Sequence, residues 1–173
     1  FEIVRTSLLV GALKTLECAK AHSVKEGLKL FEVNDVVHRD DNEDVGALNR
    51  RHLVATYTGL TAGFEVIHGL VDRVMTCAQI APTQAYAGNS LKGYTGSSGT
   101  RQYSVEPIDD PTYFPGRCAR VLIEEGGKKS SIGVFGVVHP EVLKNFGVAN
   151  PTSALELDVE ALAAASSVPP CGC

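Results

Sequence analysis

A chain of 173 residues with 44% hydrophobic composition has the size of one compact domain and can build a core without disulfides or metals. Sixteen basic against twenty acidic residues give a formal charge of -4 with the signs mixed along the sequence. That excludes a basic stripe able to neutralise many phosphates, and argues against autonomous RNA binding.

The cysteines, Cys18, Cys77, Cys118, Cys171 and Cys173, are odd in number, which fits reduced thiols and predicts a cytoplasmic protein. No apolar run reaches the length of a membrane span, so no membrane contact is expected. The start, Phe1-Glu2-Ile3-Val4-Arg5, has no secretory layout and no methionine, as expected of a piece of a longer polypeptide.

From Arg5 to about His22, Leu9, Ala12, Leu13, Leu16 and Ala19 recur at three- and four-residue spacing, which predicts a helix capped by Thr6 or Ser7. Gly11 inside it predicts close approach by a neighbour. Leu28 to Val37 and His52 to Thr58 read as antiparallel strands on either side of a solvated loop containing Asp40 to Asp44. Phe64, Ile67, Val71, Val74 and Ala78 predict a helix over Thr61 to Ile80, capped by Thr61 and broken before Pro82. The Gly/Ser-rich stretch from Gly88 to Thr100 reads as a loop or disordered insertion.

The last third reads as strands at Arg101 to Val105, Arg117 to Glu124 and Ser131 to His139, with Gly126-Gly127 as a turn. Pro140 opens a short helix ending at Asn145 to Gly147. Leu155, Leu157 and Val159 alternate with acidic residues as a final strand. Residues 1–168 are expected to form the domain and 169–173 a tail. The grouping predicts an α+β fold, an antiparallel sheet flanked by helices.

Several long segments carry a family resemblance: VRTSLL at Val4 to Leu9, KLFEVNDVV at Lys29 to Val37, NRRHLVATY at Asn49 to Tyr57 and GFEVIHGLVDRVM at Gly63 to Met75. FPGRCARV, IGVFGVVHPEVLKNFGV and SALELDVE follow in the same order. Together they resemble the C-terminal, catalytic-like domain of the archaeal and eukaryotic phenylalanyl-tRNA synthetase beta subunit. The resemblance implies a class II aminoacyl-tRNA synthetase-like core that has lost the reaction and packs against the alpha subunit of an α2β2 enzyme. It also implies that ATP, Mg2+ and tRNA(Phe) belong to the holoenzyme. A competing reading is a free-standing class II-like enzyme that activates a carboxylate with ATP.

Residue chemistry agrees with an inactive core. Binding ATP needs arginine forks on phosphate and acids for Mg2+, and Arg50-Arg51 and Arg117 stand outside the wording of an active site. His139-Pro140-Glu141 is read as a helix cap rather than a base, and His68 as a satisfied histidine. Cys171 and Cys173 have no second ligand pair, and Asp40 to Asp44 lacks the pattern of a calcium loop. No catalytic, cofactor-binding or metal residue is predicted. The matching helix in class II enzymes lies at a subunit interface, so Leu9, Leu13 and Leu16 are the candidate interface residues. Their periodicity is equally compatible with packing on the chain's own sheet.

Overall fold

In the computed structural model, which describes residues 3–19, 27–83, 86 and 101–163, seven strands form one mixed sheet carrying helices on both faces. The predicted Gly/Ser-rich loop at 88–100 and the tail at 169–173 lie outside the described residues. In chain order the elements are α1 (Leu9–Cys18), β1 (Leu28–Arg39), β2 (Ala47–Thr58), α2 (Phe64–Cys77) and β3 (Ala81–Pro82). They continue with β4 (Arg101–Pro107), β5 (Tyr113–Glu125), β6 (Lys128–Val138), α3 (Pro140–Asn145), β7 (Thr152–Asp158) and α4 (Val159–Ala163).

The spatial order is β1-β2-β7-β6-β5-β4-β3. Neighbours from β1 through β4 pair antiparallel. The β3–β4 edge is parallel, which corrects the expectation of an antiparallel sheet. Pro82, read as a breaker, is tolerated because it lies at the sheet margin, where a missing N–H need not break a ladder.

Alternating side chains build two cores. Val36, Val54, Cys118, Val138 and Ala154 meet α1 and α3 on one face, while Val121, Ile123, Phe135, Leu155 and Leu157 meet α2 and α4 on the other. Strand β7 is central, and its change of face at every residue is what joins the two layers.

Helix α2 begins three residues later than predicted, at Phe64. Its N-cap is Gly63 in the left-handed conformation, φ 61°, not Thr61, because a Cβ at 63 would collide with the Tyr57 ring. Gly27 and Gly59 crowd the same ring, with an added Cβ falling 2.6 and 3.1 Å from the Tyr57 hydroxyl. The helix ends on Gln79, also left-handed at φ 59°, with the Ile80 N–H donating to the Met75 carbonyl at 3.0 Å. That is a Schellman closure. No neighbour presses on Gly11: the nearest atom to an added Cβ is Glu32 Oε2 at 3.9 Å, an ordinary contact, so the close approach read from the sequence is not there.

The β1–β2 ladder runs from Leu28 opposite Thr58 to Arg39 opposite Ala47, longer than the apolar runs suggested. Polar residues continue it because β1 lies at the sheet margin and its outer side chains reach water. Gly126 and Gly127, both with positive φ (56° and 81°), make the tight β5–β6 turn. Val159 begins α4 instead of ending β7, and Asp158 Oδ1 accepts the Ala161 N–H at 3.0 Å as its cap.

Candidate functional site

The N-terminal segment is fastened to the sheet by one carboxylate. Glu156 on β7 accepts the Ser7 hydroxyl at 2.6 Å and the Leu8 N–H at 3.1 Å, and shares a 2.9 Å hydrogen bond with His52 Nδ1 on β2. Ser7 Oγ in turn accepts the Leu9 N–H at 3.1 Å, but the N-cap of α1 is Leu8, which has no side-chain cap, so neither Thr6 nor Ser7 takes the N-cap position read from the sequence. A negative group at this position also suits the helix dipole.

Leu9, Leu13 and Leu16 point inward from α1 and keep only 7%, 1% and 5% exposure within the chain itself. They pack in the cluster with Val36, Val54 and Ala154. What α1 turns outward is Val10, Gly11, Lys14 and Thr15.

A different surface carries the uncovered apolar area. On β1, Phe31 is 74% and Val33 50% exposed, both on the α2 side of the strand, and the exposed Val66 of α2 lines the same cleft as Phe31. Phe31, Leu53, Tyr57, Val66 and Leu70 line a cleft of about 440 Å³ between β1, β2 and α2, with Lys29 as its charged residue. Sequence reading missed this strip. Its signal was present in KLFEVNDVV, where Leu30 and Val36 occupy one face and Phe31 and Val33 the other.

The arginines considered as phosphate ligands are placed otherwise. Arg51 holds Asp35 through two contacts of 2.9 and 3.3 Å, and its guanidinium keeps the Asp35 carboxyl below the usual carboxylate range. Arg50 lies 4.0 Å from Asp158 and 3.8 Å from Glu160. Arg117 is exposed after Pro115-Gly116, on the segment of β5 that leaves the ladder.

His68 is satisfied, as read from the sequence. Its Nε2 is 2.6 Å from the Tyr86 hydroxyl, which also donates to Asp72 Oδ1 at 3.2 Å. The Tyr103 hydroxyl donates to the same oxygen at 3.0 Å. Phe64 and Phe135 stack on this group. Burial, and then the Asp72 charge, push the Tyr86 phenol above its ordinary value, so the hydroxyl is a donor and not a nucleophile. His139 caps α3, its Nδ1 accepting the Glu141 N–H at 3.2 Å. Asp40 folds its carboxylate back on Asn42, and Asp41 pairs with Arg39. Among the described residues no three His, Cys, Asp or Glu side chains are grouped to hold a metal ion. Cys171 and Cys173 lie outside them. No helix of the described residues is long and apolar enough to cross a membrane.

Residues 1–159 match the family described as the phenylalanyl tRNA synthetase beta chain CLM domain. The chain is 44% identical over 165 residues to the cytoplasmic phenylalanine–tRNA ligase beta subunit of Arabidopsis thaliana, covering 94% of this chain and 25% of that protein. It is 42% identical over 160 residues to the beta subunit of Mus musculus, covering 92% and 24%. For that of Homo sapiens the figures are 39% over 159 residues, 92% and 24%. The chain thus spans about a quarter of the length of the curated relatives it matches.

Proposed function

Since this chain belongs to the phenylalanyl-tRNA synthetase beta-chain family, we propose that it is a class II synthetase-like core serving assembly of a phenylalanine–tRNA ligase, not its chemistry. Its partner is the alpha subunit of an α2β2 enzyme in the cytoplasm. ATP, Mg2+ and tRNA(Phe) act on the holoenzyme, with the tRNA reaching this domain only through it.

The observation that carries this reading is the exposed apolar surface of Phe31, with Val33 on the same face of β1, beside Val66 across the cleft between β1, β2 and α2. Large apolar side chains gathered on a sheet margin beside a cleft are the composition of a contact surface. Leu9, Leu13 and Leu16 contribute by holding α1 on the sheet, so that the outer face of α1 and the outer edge of β1 are presented as one rigid unit. Inactivity of the domain is supported by its guanidinium groups. Arg50, Arg51, Arg101 and Arg120 are each turned toward carboxylates of this chain, so each already faces an anion other than phosphate.

The test is co-expression of the full-length beta chain, carrying Phe31→Asp with Val66→Asp, and the alpha subunit. Assembly is expected to weaken by about tenfold or more, the scale of an interface hot spot. Unchanged assembly of a folded variant would remove the strip from the interface. Leu13→Asp is a poor substitute, because it places a charge in this chain's own core. The ATP-dependent carboxylate-activating reading is answered by calorimetry of the same chain without alpha: saturable micromolar binding of ATP would overturn the assembly role.

A further inference from the structure

We propose that His38 and His52 form a site for one divalent cation of the zinc, copper or nickel class, held by two imidazole nitrogens with water filling the rest of its shell. Neither histidine lines the β1–α2 cleft, and the proposal stands whether or not that cleft meets the alpha subunit.

The pair sits on the α1 side of the sheet. His38 on β1 and His52 on β2 share the face of Val36 and Val54, because residues two apart in a strand point the same way. Their ring centroids are 5.5 Å apart, with the planes inclined at 41°. Two imidazoles on one tetrahedral ion, with metal–nitrogen bonds of about 2.0–2.1 Å, have centroids about 5 Å apart. The exposed His38 can make that small adjustment by turning about its side-chain bonds.

Glu156 decides which nitrogen of His52 is available. Its Oε1 accepts the Leu8 N–H and its Oε2 the Ser7 hydroxyl, so the carboxylate acts throughout as an acceptor. The 2.9 Å contact of Oε1 with His52 Nδ1 therefore places the proton on Nδ1, and in the neutral ring the lone pair is on Nε2. That is the tautomer in which a histidine backed by a carboxylate meets a metal, the carboxylate fixing the ring and raising its basicity. The His52 side chain keeps only 14% exposure, and neither its Nε2 nor the His38 ring has a hydrogen-bond partner among the described residues. A mostly covered acceptor without a partner is the group a ligand would satisfy.

The surrounding charge favours a cation. His52 stands opposite Asp158 of β7 in the ladder, with Glu156 two residues before it on the same face. Arg50, the cation of this face on β2, is drawn to Asp158 and Glu160 at 4.0 and 3.8 Å. Of the flanking cations, Arg5 is paired with Glu32 and Arg39 with Asp41. Imidazole selects zinc, copper or nickel over magnesium and calcium, which take oxygen ligands. Structural zinc has four protein ligands; with two, this ion exchanges with solvent. Bound, it ties β1 to β2 and, through Glu156, to the segment that opens α1.

The experiment treats the full-length beta chain, assembled with the alpha subunit, with diethyl pyrocarbonate, which acylates imidazole lone pairs, and reads each histidine by peptide mass spectrometry. With zinc at about ten times its dissociation constant about one-tenth of the sites stay free, so labelling of His38 is expected to slow about tenfold. His68 and His139 are expected to be unchanged, and magnesium to have no effect. His52→Gln is expected to abolish the protection of His38. Protection that persists in the folded variant overturns the proposal, because a lone surface imidazole then accounts for it. Labelling of His38 that ignores zinc overturns it too, as does a His38 that resists the reagent before zinc is added. A variant that does not fold leaves the unaltered protein to decide: copper with ascorbate oxidises the side chains that hold the copper, and 2-oxohistidine is expected at His38 and His52. Oxidation spread evenly over the exposed histidines refutes the site.

Discussion

Glu156 answers to three donors at once, and none of the three is adjacent to it in sequence. Glu156→Gln keeps the shape but removes the charge and replaces one acceptor oxygen with a donor, leaving a backbone or hydroxyl donor unpaired. The expected loss is about 1–3 kcal/mol, the range for a partly buried group that loses its partner, measured as a lower denaturation midpoint with unchanged slope. Cys118 illustrates burial acting on reactivity. Desolvation pushes its thiol up to about 11, so at pH 8 only about one molecule in a thousand carries the reactive thiolate. Alkylation at pH 8 followed by peptide mass spectrometry is expected to label the exposed Cys18 and Cys77 and spare Cys118 in the folded chain. Rapid labelling of Cys118 would show that the β5 face of the α1 core opens.

Among the elements, β6 depends most on what its side chains lack. A Cβ on Gly133 would collide with the Glu156 carbonyl and the Leu157 side chain on β7. Gly133→Ala is therefore expected to cost more than about 3 kcal/mol, the scale of overpacking where backbone must move, or to prevent folding. A thermal melt within a degree or two of the parent would contradict that packing. Gly133 was unremarked in the sequence because alternation reports which face is wet, not how near the next strand lies. The same limit applies elsewhere. The periodicity of α2 was legible in Ile67 and Val71, but its first residue was not, since the start is set by the Tyr57 ring of the preceding strand pressing on Gly63 and not by Thr61. β1 and β2 were legible as apolar runs; their continuation through Arg39, Asn49 and Arg50 was not, because an edge ladder tolerates polar side chains that propensity disfavours. The parallel β3 edge is two residues long, too short to leave any pattern. Of the candidate contact residues, the leucines of α1 were visible and turned out to be covered by their own sheet, while Phe31 and Val66 went unnoticed because only the fold shows which apolar residues lack a neighbour.

For the whole molecule, several of the described charges are paired with one another across the sheet. Guanidiniums hold Asp35 and Glu125, and Lys129 with Arg120 holds Glu106, so each carboxyl stays below its ordinary range. A folded-state value lower than the unfolded one contributes stability above the unfolded carboxylate range and loses it as pH falls through the folded value. Stability is accordingly expected to decline below about pH 4. Because these groups are exposed, the decline should shrink in high salt; denaturation midpoints at neutral and acid pH, with and without added salt, measure both effects. An acid transition insensitive to salt would assign the loss to buried groups instead.

The crowding of Gly27, Gly59 and Gly63 around Tyr57 bears on how such a sequence can drift. Gly27 and Gly63 have φ of 75° and 61°, so they are held to glycine by their backbone whatever stands at 57. Gly59 carries no such constraint, and its nearest obstacle is the Tyr57 hydroxyl. A side chain at 59 asks the Tyr57 ring to give by a few tenths of an ångström, so among descendants of this chain it should be accepted more readily where residue 57 has already lost that hydroxyl, and the order of the two substitutions is biased by geometry.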